Sequence, residues 1–168
     1  TLYILVTSMI NKLLPTVRSR CIKMNFSKPD PAELIVFIEK KYALGREKAE
    51  ILVTLSNSSF SKIEDMANGD YLEFRLKILK SLVGLKDPFM LAADFEKEKE
   101  RIKEILFLMK SWFFDLLVIK KKRSPSLLIN KDLTPLLESH SQNFSIEKIL
   151  RILDKVSLTE IDLNYNIN

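Results

Sequence analysis

The chain has 168 residues, 46% of them hydrophobic and 29% charged, with a formal net charge of +5. That length holds one ordinary domain or two small ones, with enough apolar side chains for a core. A single cysteine, Cys21, excludes an internal disulfide and a thiolate zinc cluster, and the lone histidine, His140, lacks the carboxylate spacing of a metal site.

In chain order, Leu2 to Val6 is a continuous apolar run, the pattern of a strand buried on both faces of a parallel sheet. No second strand pattern is present to pair with it. Its apolar side chains and unpaired backbone groups would be a liability alone, so the sequence is expected to be a piece of something longer. A loop follows, reading L-P-T-V-R-S-R-C over Leu14 to Cys21.

From Pro29 the pattern turns helical. Asp30-Pro31-Ala32-Glu33 supplies a capping Asp, a proline at the first helical position and an early Glu. Leu34, Phe37 and Ile38, extended by Tyr42, form the predicted apolar face. Gly45 separates a second helix carrying Ala49, Leu52 and Val53. Ser58 and Ser59 can cap a third, from about Phe60 to Asn68, which Gly69 stops.

The second half reads as a larger helical unit. Leu72, Leu76, Leu79 and Val83 form a stripe ending at Gly84. Asp87-Pro88 is expected to start a long helix lined by Phe95, Ile102, Leu106, Met109, Phe113 and Leu116. Charges over Asp94 to Glu104 suit its solvated side. Trp112, Phe113 and Phe114 are adjacent and cannot all face one core, so one of them should meet another helix or another subunit.

The long helix ends in Lys120-Lys121-Lys122-Arg123. Four cations there complement the helix macrodipole, and they also suit nucleic-acid phosphates. A helix over Leu133 to His140 and another from Ser145, with Phe144 and Ile149 placed for a hydrophobic staple, complete the pattern. His140, among Ser139, Ser141, Gln142 and Asn143, reads as a helix-end or loop residue and not as a base.

No phosphate loop is present, because Gly45, Gly69 and Gly84 stand far apart. No apolar run reaches the roughly 18 to 20 residues that span a bilayer, and no signal peptide is seen, so a cytoplasmic setting is expected. No paired carboxylates, nucleophile elbow or metal spacing supports an independent enzyme.

The apolar strand, the loop with Ser19-Arg20-Cys21 and the helices after it resemble clamp-loader subunits of the AAA+ superfamily, in particular the delta prime family of bacterial DNA polymerase III. W-F-F-D-L-L (Trp112 to Leu117) and N-Y-N-I-N (Asn164 to Asn168) add local support. The resemblance implies a mainly all-α fold. Residues 1–26 would be a remnant of the AAA+ base with its last strand. Residues 27–69 would be a three-helix lid, and 70–168 a helical collar that assembles the complex.

It further implies that Arg20, flanked by Ser19 and Cys21, is an arginine finger reaching in trans into a neighbouring subunit's ATP site. A guanidinium is permanently charged and presents a planar fork to phosphate oxygens. Arg18 is the weaker candidate, and a structural salt bridge or helix cap is the plainer role for Arg20. Cys21 is expected to be a packed small side chain. Thr7 and Lys62 fall at positions where ATP-binding relatives sense phosphate. Lys62 replaces an arginine and lacks the preceding glycine, which implies no nucleotide on this chain.

ATP and Mg would then sit in a neighbour, with gamma/tau and delta subunits as partners and the sliding clamp and primed DNA reached through the complex. Two other readings stay open. One is an ATP-hydrolysing gamma/tau-type subunit whose P-loop half is missing; the other is a basic helical module binding nucleic acid through Lys120 to Arg123.

Overall fold

Asp30 accepts a hydrogen bond from the Ala32 backbone N–H at 2.8 Å, and Pro31 holds the first helical position. The first long helix therefore starts where its capping chemistry predicts. The structure, a computed structural model, describes residues 3–7, 9–84 and 95–165. Among them the chain is all-α, with eight α-helices: α1 (Pro15–Arg18), α2 (Pro31–Tyr42), α3 (Arg46–Ser56), α4 (Phe60–Asn68), α5 (Tyr71–Val83), α6 (Ile102–Lys120), α7 (Thr134–Ser141) and α8 (Ile146–Tyr165).

Each helix packs on the next along the chain from α2 to α6, and α6 also takes α7 and α8. One hydrophobic cluster runs through these helices, from Leu34 and Ile38 on α2 to Leu137 on α7 and Ile149 on α8. α6 is its axis. Ile105, Leu108, Trp112 and Leu116 are fully buried, and Leu106, Phe113 and Val118 nearly so. Those positions extend around most of the helix, as a helix enclosed by neighbours requires.

The capping of α8 also follows its sequence: the Ser145 hydroxyl accepts from the Lys148 backbone N–H at 3.2 Å. Ser59 stands at the N-cap of α4 but makes no side-chain cap bond. Ala43, after α2, adopts φ 52°, in the left-handed region that closes many helices and favours glycine.

Four expectations change. The strand over Leu2 to Val6 does not form among the described residues, and Tyr3, Ile4, Leu5 and Val6 are exposed. A strand needs partners for its N–H and C=O groups, and none is supplied here. Phe37 leaves the buried face of α2 and pairs with Phe60 of α4, ring centroids 5.4 Å apart, while Leu34 and Ile38 stay inside.

On α5 the buried face is Tyr71, Phe74, Arg75, Ile78 and Leu79, rotated from the predicted leucine stripe; Leu72, Leu76 and Val83 are half-buried. The predicted long helix is interrupted. After the helical Phe95 and Glu96 come a turn at residues 97–98 and a short 3-10 segment, Lys99–Arg101, before α6 begins at Ile102. Arg101 anchors this break, bonding Asp70 at 2.8 Å and Glu104 at 2.7 Å and stacking 3.5 Å over the Phe74 ring. The expected start at Asp87-Pro88 lies outside the described residues.

Ala43→Gly should relieve the left-handed strain and raise stability by about 0.5–1 kcal/mol. Urea unfolding would show a higher midpoint at unchanged slope; a lower midpoint would contradict the assigned backbone conformation.

Candidate functional site

Around the Ser-Arg-Cys motif, α1 is one helical turn. The Ser19 hydroxyl donates to the Thr16 carbonyl at 3.2 Å, and the Arg20 N–H donates to the Val17 carbonyl at 3.2 Å. This fixes the backbone ahead of Arg20, whose side chain is exposed and joins no ion pair among the described residues. Its guanidinium keeps its donors free for an external acceptor. Arg18 is likewise exposed.

Cys21, expected to be packed, is exposed, because among the described residues nothing folds over residues 21–30. The exposed Thr7 hydroxyl accepts from the Met9 N–H at 3.0 Å, a local turn contact. Lys62 is exposed on α4. Among the described residues no hydrogen bond or ion pair joins Thr7, Arg20 and Lys62, and no group of His, Cys, Asp or Glu could hold a metal ion.

A second candidate surface lies on the outer sides of α6 and α8. Of the aromatic triplet, Trp112 and Phe113 are buried and Phe114 is 41% exposed. Phe107, two turns earlier on the same side of α6, is also exposed. Lys110 lies between them along that side and bonds Glu160 of α8 at 2.7 Å. Leu150, Leu158 and Ile161 of α8 are exposed as well, and helical spacing puts them on one side of it. These large exposed apolar side chains make the outer sides of α6 and α8 a candidate interaction surface.

What holds these helices in register is a polar node that sequence periodicity did not reveal. Arg75 of α5 is 1% exposed. Its guanidinium takes Asp132 through two bonds of 2.7 and 2.9 Å and Asn130 Oδ1 at 2.8 Å. The Asn130 amide donates to Asp115 of α6 at 2.8 Å and to the Ser111 hydroxyl at 3.3 Å.

Asp115 is fully buried and accepts the backbone N–H groups of Ile129 and Asn130, both at 2.8 Å. Burial raises its pKa, opposed by these N–H donors and by the Arg75 charge. Asp132 also lines a groove of about 220 Å³ with Ile35, Glu47, Ile51, Ile129 and Lys131, so the node forms one wall between α2–α3 and the segment before α7.

A second buried polar contact links α6 to α7. Trp112 Nε1 donates to His140 Nδ1 at 3.0 Å, which requires a neutral imidazole. Burial lowers the His140 pKa in the same sense. His140 does sit near a helix end, as expected, but inside the core, against Phe144 with ring centroids 5.0 Å apart.

The fold and these surfaces define an all-helical module with outward apolar faces suited to assembly. Residues 70–168, which contain α5 to α8 and the node, match the family model described as DNA polymerase III, delta subunit, C terminal. That is more than half of the chain, and the chain belongs to this clamp-loader family. No curated protein and no solved structure matches it. No helix among the described residues is long and apolar enough to cross a membrane.

Arg75→Ala would strand Asp132 and Asn130 and should cost about 3–5 kcal/mol, read from chemical denaturation. A loss below about 1 kcal/mol would contradict the bonding described. His140, held neutral when folded, binds a proton on unfolding near its ordinary value of about 6.5. Its contribution is therefore full above that pH and lost as pH falls through the lowered folded value. The stability gap between wild type and His140→Gln should shrink from pH 7.5 to pH 5; a constant gap would contradict the neutral acceptor.

Proposed function

We propose that this chain acts as a non-catalytic, delta prime-type subunit of the DNA polymerase III clamp loader. The family match over α5 to α8 carries the clamp-loader assignment. The delta prime reading is supported by Ser19-Arg20-Cys21, where Arg20 is exposed and unpaired among the described residues at the end of a fixed helical turn.

In this reading Arg20 reaches a neighbouring gamma/tau-type subunit that holds ATP and Mg. Phosphoryl transfer spreads charge over the equatorial oxygens, and a guanidinium placed there stabilises the transition state more than the ground state. In this reading the nucleotide belongs to the neighbour, in keeping with Lys62 standing at the lid position where ATP-binding relatives carry an arginine.

The outer faces of α6 and α8 are the assembly surface toward gamma/tau and delta. Phe107 and Phe114 are the anchors, since aromatic side chains dominate interface energetics. Sliding clamp and primed DNA are reached through the assembled complex.

In the reconstituted complex, Arg20→Ala should lower DNA- and clamp-stimulated ATPase about tenfold or more while assembly persists. Unchanged turnover would return Arg20 to a structural role. Phe107→Asp combined with Phe114→Asp should weaken assembly by about 2–4 kcal/mol without unfolding the chain. Full assembly by that double variant would remove α6 from the interface.

A further inference from the structure

We propose that the turn Lys120–Arg123 is a phosphate-backbone contact for double-stranded nucleic acid, separate from Arg20 and from the α6–α8 assembly face. The charge is uncompensated along the sequence. Between Ile105 and Lys131 the only carboxylate is Asp115, and its oxygens are taken by Ile129 and Asn130. Lys110 is paired with Glu160. Lys121, Lys122 and Arg123 are exposed, Lys120 is half-buried, and none of the four has an ion pair among the described residues.

The turn is also fixed. The Lys121 N–H donates to the Leu117 carbonyl at 2.9 Å, that of Lys122 to Ile119 at 2.9 Å, and that of Arg123 to Val118 at 3.0 Å. The cations therefore project from a closed helix end, which lowers the entropy lost when they engage phosphates. Lys122 takes φ 50°, where glycine is the low-strain residue. Neutralising the last helical carbonyls does not require a cation at that position, since Lys121 and Arg123 flank it. A strained residue that fold stability would replace points to a use for its side chain.

The surroundings select the ligand. Between Phe114 and Phe144 the sequence holds no Phe, Tyr or Trp, and its one imidazole, His140, is buried against Trp112 and Phe144, so this segment offers unpaired bases no exposed ring of its own to stack on. Among the described residues from Leu116 to Leu133, Leu127 is the only exposed large apolar side chain, too little to anchor a membrane-surface site. Clustered unpaired cations without stacking groups suit the phosphates of a duplex, read without sequence preference.

The test is fluorescence anisotropy of the full chain with a mixed-sequence duplex of about 20 base pairs, titrated from about 50 to 200 mM salt. Four phosphate contacts predict a binding constant that falls about 10²-fold over that range. Lys122→Gly separates the structural from the binding role, because the two roles move it in opposite directions. Its thermal midpoint should rise, while its affinity falls and its salt slope drops by about one unit. Changing Lys121 and Arg123 to Gln as well should remove about three units of slope. No duplex binding at the lowest salt, unchanged binding by Lys122→Gly, or binding to anionic phospholipid vesicles in place of duplex would each overturn the proposal.

Discussion

The second half of this molecule depends on how Asn130 is bonded. Its side-chain oxygen faces the Arg75 guanidinium, and its amide nitrogen faces Asp115 and Ser111. One fully buried residue in an irregular segment thus ties α5 to α6, with its own backbone N–H bonded to the same Asp115. Burying an arginine and an aspartate costs more than their attraction alone returns, so the node is not mainly a source of stability. Its effect is on geometry. Any rotation of α6 or slip of α5 would leave a desolvated charge or amide without a partner.

That constraint reaches the outer surface through α6. The helix turns Ser111 and Asp115 toward the node and Ile105, Leu108, Trp112 and Leu116 into the core, leaving Phe107 and Phe114 outside. Its final turn carries the unpaired cations. The exposed aromatic side of α6 and the basic turn are therefore set by one rigid element whose rotation is fixed from within. On the opposite flank Asp132 joins the node to the groove against α2 and α3, so the same bonds also shape the joint with the first helices.

Much of the helical layout was legible in the sequence because capping and spacing are local. Asp30-Pro31 and Ser145 mark helix starts through bonds to residues two or three positions away. The triplet Trp112-Phe113-Phe114 could not be buried as a unit, and Phe114 is the one outside. The node was not legible. Arg75 and Asn130 are 55 positions apart, and a charged residue in an apolar stripe reads as surface unless its partners are known. The stripe on α5 was misplaced for that reason. Phe37 shows the converse, an apolar residue at helical spacing that finds an exposed aromatic partner in Phe60. Of the motif residues, Cys21 was expected to pack and is exposed, because residues 21–30 are all exposed among the described residues, which local spacing could not reveal.

Native-state hydrogen exchange at the amides of Ile129 and Asn130 tests the central claim most directly. Both lie outside any helix, and both donate to Asp115 in the interior. If the node sets the register of α5 and α6, these two amides exchange only with global unfolding, as slowly as the core of α6. Exchange at open-loop rates while α6 and α8 stay protected would show that the helices hold their positions without it.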